Sequence, residues 1–393
     1  MARRTGQYRI TSTLGEEVRA FVPYPLPPAD PPLALDGAAA ELEAAAKAAL
    51  ARLAVAGSMV LSIDWFLYGF VRKEAVVTSQ IEGTQATLRD VITFEATHRS
   101  DRPDDVREVC NYVSALAHAR ARIADPKGLP LSIRLLREAH RILMAGVRGE
   151  NLQPGEIRRS QNWIGGSRPG NARFVPPPPE EVPGALGALE RWLHQDSDLP
   201  PLVRAGLAHV QFETIHPFLD GNGRIGRLLI ALLVEHWGLL DLPLLYLSLA
   251  FKRNQPEYYA RLAAVRSDGD WEGWIRFFLD CVREAADDGV RVARELHALV
   301  GRDRDRILGH ERATVTAIRL IERLPSRPVV TIAAVSDLLG LTAPPTRKAV
   351  ALLEGLGVLR EITGKRRGRA YSYHEYLRIL TDDEPLRRSS PGA

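Results

Sequence analysis

The chain has little of what extracellular and membrane proteins depend on. Only two cysteines occur among 393 residues, Cys110 and Cys281, far apart and without metal-ligand spacing. A disulfide framework is therefore not expected, and a reducing, cytoplasmic location is. No uninterrupted apolar run approaches the roughly 18 residues that indicate a membrane-spanning helix. The net charge is only +4, and an apolar content of 45% predicts a globular protein of two or three domains.

Helix-forming patterns, in contrast, fill the first 300 residues. Helices are predicted over residues 37–53, 65–82, 133–143, 180–193, 202–215, 225–237, 258–265 and 271–297, with others beginning near residue 87 and after residue 104. The exception is residues 160–175, where two β-prone stretches flank a Gly/Pro/Asn-rich turn before four prolines. That pattern predicts one β-hairpin in a mostly α fold.

The pattern changes after residue 301. Helices are predicted over 314–324, 329–339 and 345–356, followed by a strand, a basic tip and a second strand at 370–373. This order is typical of a winged helix. We therefore divide the chain into an N-terminal helical region (1–125), a central core (126–290), a linker helix (291–310) and a winged-helix domain (311–380).

Residues 216–227 read His-Pro-Phe-Leu-Asp-Gly-Asn-Gly-Arg-Ile-Gly-Arg and combine several groups that phosphate chemistry uses. Pro217 pushes His216 out of the helical region, so a predicted helix ends and the histidine lies on a loop, where it can act as a general base. A lone histidine would more often cap or pack. This one is followed by a carboxylate that suits Mg²⁺, by glycines whose N–H groups can face an anion, and by two arginines one helical turn apart.

This segment resembles the signature of the Fic (filamentation induced by cAMP) family, HxFx(D/E)GNGRxxR, at every defining position. The resemblance implies a Fic-type helical bundle that transfers AMP from ATP, with Mg²⁺, to a Tyr, Thr or Ser hydroxyl of a target protein or of the chain itself. It implies that His216 is the catalytic base, that Asp220 is the metal ligand and that Phe218 is an apolar anchor. The implied ATP-binding residues are Phe218, Asp220, Gly221, Asn222, Gly223, Arg224 and Arg227.

A second segment resembles the inhibitory motif of that family, (S/T)xxxE(G/N), with Thr78, Glu82 and Gly83 in its named positions. Most glutamates are simply solvated, although one at a helix C-terminus costs about 0.3–1 kcal/mol unless a cation accompanies it. The resemblance implies that Glu82 pairs with Arg227 and so excludes the γ-phosphate. Alternatively, Glu82 positions a water molecule that removes AMP.

The predicted hairpin resembles the flap that aligns target chains in the Fic family, since an exposed strand edge can pair with an extended peptide. The candidate docking residues are Gly165, Gly166, Arg173, Phe174 and Val175. A plain surface loop is the alternative. Downstream, Tyr258 and its neighbour Tyr259 could contact an adenine ring, and core packing explains at least one of the pair equally well.

The winged-helix candidate carries basic residues where a duplex would be contacted. Thr346, Arg347 and Lys348 open the predicted recognition helix, and the predicted wing has Lys365, Arg366, Arg367 and Arg369. We interpret the basic side chains of Arg347, Lys348, Lys365, Arg366 and Arg367 as DNA contacts. The alternative is a module that binds protein, including a second copy of the chain in a homodimer.

The sequence therefore favours a protein adenylyltransferase that Glu82 inhibits. Net removal of AMP and transfer of another group, such as UMP or phosphocholine, are alternatives within enzymes. A DNA-binding regulator that only senses nucleotide is an alternative from another class, against which His216 counts, because a sensor needs no base.

Overall fold

The computed structural model describes residues 3–58 and 64–382. Over these residues the chain is mostly helical. Helices α1 to α15 span Gly37–Ser58, Asp64–Ile81, Leu88–Thr97, Pro103–Ala124, Ile133–Leu143, Val182–His194, Pro201–Ile215, Asn222–His236, Ser248–Arg253, Gln255–Asp268, Trp271–Leu308, Val315–Ile321, Ile332–Leu339, Ala343–Gly355 and His374–Leu380. Strands β1 to β5 span Gly6–Thr13, Glu16–Pro23, Val329–Thr331, Leu359–Glu361 and Ala370–Tyr373.

Helices α7 and α8 lie at the centre of the fold. Every side chain from Leu202 to Ile215 on α7 is buried, and α8 packs against α2, α4 and α5 as well as α7. α7 ends because Pro217 disfavours the right-handed α region at His216, and His216 adopts the left-handed region at φ 49°. α8 begins after Gly221, which has φ 76° and therefore favours glycine. The two central helices thus present the intervening loop on a rigid base.

Helix α2 ends beside this loop. Its last residue is Ile81, and Gly83, with φ 99°, reverses the chain as the sequence predicts. Thr87 then caps α3 in a reciprocal capping box with Asp90. The turn that carries Glu82 is therefore short and is fixed at both ends by helices.

An N-terminal β-hairpin is a finding that we did not predict. Strands β1 and β2 pair antiparallel from Gly6 opposite Pro23 to Thr13 opposite Glu16. The connecting Leu14 and Gly15 both have positive φ, at 50° and 80°, which is the two-residue turn that suits hairpin twist. The β-branched alternation of this segment indicates a strand, but leucine is a rare residue at such a turn.

The predicted hairpin over residues 160–175 is, conversely, reduced to one bridge between Ile164 and Phe174. Gly165 and Gly166 have φ 68° and 78°, and Pro169 opens a 3-10 turn. These backbone conformations and the missing proline N–H stop a ladder from extending. The prediction of a hairpin was therefore wrong in its extent, and we call residues 160–177 the flap segment.

Helix α11 runs unbroken from Trp271 to Leu308. It crosses the domain boundary that we predicted at residue 290 and includes most of the predicted linker helix. It leads directly into α12, so the two parts of the chain share one continuous helix. Within the described residues, no helix combines the length and apolarity that crossing a membrane requires.

The C-terminal part has the predicted helices and basic hairpin, with two additions. Residues 329–331, predicted as helix, form strand β3, because Val-Val-Thr is β-branched and Thr331 then caps α13. β3, β5 and β4 form an antiparallel sheet in that order. Helix α15 follows β5 and was not predicted. The assignment as a winged helix stays an interpretation of these elements.

Candidate active site

A buried arginine holds the loop between α7 and α8 through hydrogen bonds to main-chain carbonyls of the loop. Arg158 Nε donates to the carbonyl of His216 at 2.8 Å, and its main-chain N–H donates to the carbonyl of Pro217 at 2.9 Å. Its Nη2 also donates to the carbonyl of Pro177 in the flap segment at 2.5 Å. Arg158 therefore fixes the loop and the flap segment to each other.

The His216 side chain is partly exposed and uncharged at neutral pH. Its pKa is lowered to about 4, first by burial and then by the positive charge of Arg158. The Glu213 carbonyl and the Glu82 carboxylate act in the opposite direction without outweighing these effects. An imidazole that is neutral at pH 7 can accept a proton.

Two further side chains shape the loop. The Asn222 side chain accepts from the main-chain N–H of Phe218 and donates to its carbonyl, both at 2.8 Å. Phe218 is buried and stacks on His140 at 3.8 Å between ring centroids. Because Gly155 N–H donates to His140 Nδ1 at 2.7 Å, Nε2 is the protonated nitrogen and donates to the Asp220 carbonyl at 3.0 Å. Asn222 thus braces the loop with its side chain, and only its main chain is available to an anion.

The first turn of α8 has main-chain N–H groups that are available to an anion at the end of the loop. The first helical bond of α8 runs from Ile225 N–H to the Gly221 carbonyl, so the N–H groups of residues 222–224 have no partner within the helix. The Glu82 carboxylate lies against this first turn of α8 at Gly223. A β-carbon at Gly223 would lie 2.2 Å from Glu82 Oε1, so only glycine permits this approach.

Glu82 also holds the second arginine of the loop, as the sequence predicts. Arg227 Nη2 lies 2.6 Å from Glu82 Oε1, and Arg227 Nε donates to Thr78 Oγ1 at 2.6 Å. Burial alone would raise the pKa of Glu82, but Arg227 outweighs it, and the carboxyl is ionised well below its usual range. The pKa of Arg227 is correspondingly raised. At neutral pH the pair is fully charged.

The first arginine has a partner that the sequence did not indicate. Arg224 is buried, and its Nη1 lies 3.2 Å from Glu108 Oε2 on α4. The same Glu108 oxygen accepts from Thr84 Oγ1 at 2.9 Å, two residues after Glu82. Glu108 therefore connects the turn that carries Glu82 with Arg224. No motif joins residues 116 positions apart, so sequence alone could not find this contact.

Asp220 lies at the edge of the site with its side chain 39% exposed. Its Oδ1 accepts from Gly221 N–H at 2.6 Å, and within residues 3–58 and 64–382 its Oδ2 accepts no hydrogen bond. No group of three or more His, Cys, Asp or Glu side chains that could hold a metal occurs in that part of the chain. A metal here would take one protein carboxylate and complete its shell from elsewhere.

Tyr258 does not lie where an adenine could contact its ring. The side chain is buried, its hydroxyl hydrogen-bonds His209 Nε2 at 2.8 Å, and it stacks on Phe251 at 4.6 Å between centroids. The adenine prediction for Tyr258 was wrong because this face of α10 packs into the core. Tyr259 is 47% exposed.

The flap residues lie beside the loop and against the N-terminal hairpin. Val175 is buried with Val18 and Ala20, and its carbonyl accepts from Phe21 N–H at 2.9 Å. Gly165, Gly166 and Arg173 are exposed, whereas Phe174 is half-buried under the Arg266 guanidinium, 4.0 Å from its centroid. Asn162 Nδ2 reaches the Leu219 carbonyl at 3.2 Å. The segment is therefore backed on one side and open on the other.

Thr346, at the start of the predicted recognition helix, does not face outward. Thr346 is buried and its hydroxyl bonds the Thr342 carbonyl at 3.0 Å, so it belongs to the helix rather than to a partner surface. The remaining basic side chains of α14 and the hairpin tip are exposed: Arg347, Lys348, Lys365, Arg366, Arg367 and Arg369.

Arg158, His140 and Glu108 are the residues that sequence reasoning missed. For His140 a signal exists, because it lies on the apolar face of α5 with Leu136 and Leu143, where an unpaired histidine would be costly. The other two lie far from the loop in sequence, and each acts through polar contacts that only folding brings together.

Two family models match the chain. The Fic/DOC family N-terminal model matches residues 40–121, which include Glu82, and the Fic/DOC family model matches residues 130–234, which include the loop. Among curated relatives, the protein adenylyltransferase Fic of Drosophila erecta is 29% identical over 212 residues, 53% of this chain and 39% of that protein. That of Drosophila melanogaster is 28% identical over an equal length. The match spans only about two fifths of these relatives.

Solved structures share the fold. A Fic family protein from Desulfovibrio desulfuricans G20 has a TM-score of 0.56 at 22% identity, over 87% of this chain and 97% of its own. A Fic domain containing signalling protein from Bacteroides thetaiotaomicron VPI-5482 has a TM-score of 0.50 at 18% identity, over 66% and 97% of the two chains.

Proposed function

Because the chain belongs to the Fic/DOC family, as these matches show, we propose that it transfers AMP from ATP to a hydroxyl side chain of a target protein. The hydroxyl oxygen forms a bond to the α-phosphorus, the bond from that phosphorus to the bridging oxygen breaks, and pyrophosphate leaves. The hydroxyl proton goes to His216. The curated relatives named protein adenylyltransferase support this reaction class.

The N-terminus of α8 would hold the phosphates. Its N–H groups at residues 222–224 face the space above the loop, and the helix dipole favours an anion there. Arg227 would grip a distal phosphate once Glu82 releases it. Arg224 lies in the same turn and would act from its buried place beside Glu108.

His216 suits the role of general base because its imidazole is uncharged and hydrogen bonds fix its main chain. Its carbonyl is fixed by Arg158 and its N–H donates to Phe212 O at 2.9 Å. Because its pKa is lowered to about 4, the imidazole is unprotonated at neutral pH, the state in which a general base can take the hydroxyl proton.

Asp220 would hold Mg²⁺. The half-exposed carboxylate at the mouth of the site, with Oδ2 not engaged by described residues, fits an ion that binds one or two carboxylates and completes its shell with phosphate oxygens and water. When bound, the ion neutralises charge on the phosphates.

Glu82 would inhibit the enzyme. Its carboxylate lies against Gly223 at the start of α8 and pairs with the Arg227 guanidinium. While Glu82 is in place, a phosphate can therefore bind neither the helix N-terminus nor Arg227. The target chain would lie along the open side of the flap segment at Gly165, Gly166 and Arg173, with Phe174 and Val175 holding the segment from beneath.

The geometry of Glu82 over Gly223 and Arg227 carries the proposal, and it predicts the effect of removing that carboxylate. We expect Glu82→Gly to increase incorporation of AMP into the chain itself at least about tenfold, since the phosphate site is vacated. Glu82→Gln, which keeps the size but not the charge, should give an intermediate gain. Mass spectrometry after incubation with ATP and Mg²⁺ measures the added AMP.

The double variant Glu82→Gly/His216→Ala is the matched control. It should bind ATP as Glu82→Gly does and add no AMP. An unchanged level of modification in Glu82→Gly would refute inhibition by Glu82. Faster loss of AMP from pre-modified protein in wild type than in Glu82→Gly would assign the glutamate to AMP removal instead.

For the C-terminal part we propose contact with duplex DNA. Arg347 on α14 and Arg366, Arg367 and Arg369 at the hairpin tip line one open cleft, as a phosphate-contacting surface would. Duplex affinity should fall steeply between 50 and about 200 mM salt. Absence of duplex binding at low salt would favour a protein-binding module.

A further inference from the structure

A second cleft lies on the opposite side of the C-terminal hairpin, between it and α3. We call it the α3–wing cleft, and its volume is about 680 Å³. One wall is the face of α3 that carries Arg89, Thr93 and Thr97, each four residues apart. The other wall is β4 and the hairpin tip, and Ser372 and His374 lie between the walls. The cleft therefore joins the C-terminal part to the helix that directly follows the inhibitory turn.

Positive charge dominates the lining. Five of the lining side chains are cationic: Arg89, Arg99, Arg360, Lys365 and Arg367. The acidic ones are Asp90, whose Oδ2 accepts the N-cap N–H of Thr87 at 2.9 Å, and Asp101. Among the described residues, Arg89, Arg99, Lys365 and Arg367 pair with no carboxylate. Cations left unpaired on facing walls are favourable only if an anion or solvent balances them.

The histidine between the walls senses this potential. The pKa of His374 is lowered by burial and then by Arg360 from one wall and Arg89 from the other. The positive field therefore comes from both sides of the cleft at once, as it does in a site that encloses an anion.

We propose that the α3–wing cleft binds a small anion with several phosphoryl groups. Guanidinium groups match phosphate oxygens in geometry and charge, and Thr93 adds a hydroxyl donor on the α3 wall. The volume lies in the usual range for small-ligand sites. Because residues of both walls line one cleft, a compact anion can contact both walls at once.

Such a ligand would act on Glu82 through α2. Glu95 of α3 accepts from Tyr68 Oη at 2.6 Å and from Arg72 Nε at 2.8 Å, both on α2. On the far side, Tyr376 of α15 donates to the Trp65 carbonyl at 3.3 Å. A ligand that binds this arrangement stabilises it relative to any other. The anion therefore holds Glu82 on Arg227, and the effect on AMP transfer, unlike the binding, rests on the proposed function.

Calorimetric titration of the full chain, with Glu82 intact, against inorganic tripolyphosphate at low salt tests the site. The test variant is Arg89→Gln/Arg360→Gln, which removes one charge from each wall. The matched control is Arg347→Gln/Arg366→Gln, which removes equal charge from the opposite side of the hairpin. We expect the test variant to bind at least about tenfold more weakly than wild type and the control to bind within about twofold.

Three outcomes overturn the proposed site. They are an equal loss of tripolyphosphate affinity in both variants, no binding to wild type, and unweakened binding to the test variant. If a short DNA duplex binds without displacing tripolyphosphate, the result supports a separate anion site in the α3–wing cleft. Full displacement of tripolyphosphate by the duplex contradicts a separate site. Hydrogen exchange tests the coupling independently of any activity. Tripolyphosphate should slow exchange at residues 81–84 in wild type and not in the test variant, and unchanged exchange despite binding overturns the coupling.

Discussion

At the scale of single residues, one carboxylate contacts the two positive features that we propose a phosphate would bind. Glu82 lies on the N-terminus of α8 and on Arg227 together, so its removal frees both. Each arginine of the loop is paired with a different glutamate, Arg227 with Glu82 and Arg224 with Glu108. Only the first glutamate, with its side chain 32% exposed, lies where solvent or a ligand can displace it.

The pH dependence of transfer follows from His216. A base with a pKa of about 4 is unprotonated above pH 5 and loses function only as pH falls through 4. Glu82 raises this pKa, so its removal lowers the value further. In Glu82→Gly at saturating nucleotide, we therefore expect initial rates of AMP incorporation that vary less than about twofold between pH 6 and 8. A rate that halves near pH 6.5 would show that His216 titrates as a solvated histidine.

At the scale of elements, the active loop depends on what packs behind it. Arg158 donates to main-chain carbonyls of both the loop and the flap segment. The flap segment in turn lies on β2 through Val175. The position of the flap segment beside His216 is therefore set by buried contacts rather than by a β-ladder, which explains how a segment with one bridge can have a defined place.

Arg158→Gln tests this support. The substitution leaves buried carbonyls without their donor, so we expect a loss of about 2–4 kcal/mol in the free energy of unfolding. In the Glu82→Gly background it should also lower kcat more than it raises KM for ATP, because the base is displaced. Urea unfolding and steady-state rates measure both. Arg159→Gln, at the exposed neighbour, is the control, and equal effects in the two variants would contradict a specific role.

At the scale of the whole molecule, α11 joins the two parts into one body. It packs along α1 and α7 in one half and against α12 and α15 in the other. Near its end, the buried Asp303 accepts from Tyr373 Oη at 2.8 Å and pairs with Arg306 at 3.0 Å. The C-terminal part is thus attached by a buried polar contact as well as by the continuous helix.

Tyr373→Phe removes one donor from that buried carboxylate. We expect a loss of about 1–3 kcal/mol and a single thermal transition shifted to lower temperature. Tyr24→Phe, at a side chain 43% exposed, should leave the transition unchanged. Calorimetry distinguishes this outcome from a separate early transition, which would show that the C-terminal part unfolds alone.

Where neighbours in sequence decide the geometry, prediction succeeded. Pro217 follows the end of α7, Ser132 caps α5, and Gly83 reverses the chain after α2, each as expected. Prediction failed where the deciding contact is distant. Tyr258 is a core residue because His209 and Phe251 reach it. The flap segment lies on the N-terminal hairpin that we did not predict, and the backbone conformations of Gly165 and Gly166 stop its own ladder.

The sequence by itself determined the chemistry of residues 216–227, since base, carboxylate, glycines and arginines are contiguous and their spacing is read locally. The motif at residues 78–83 also indicated that Glu82 pairs with Arg227. Only the tertiary structure decided which groups hold them in place: Arg158, His140 and Glu108 come from three other segments, and burial gives each contact its strength. The α3–wing cleft likewise exists only because folding places α3 beside the hairpin, more than 250 residues away along the chain.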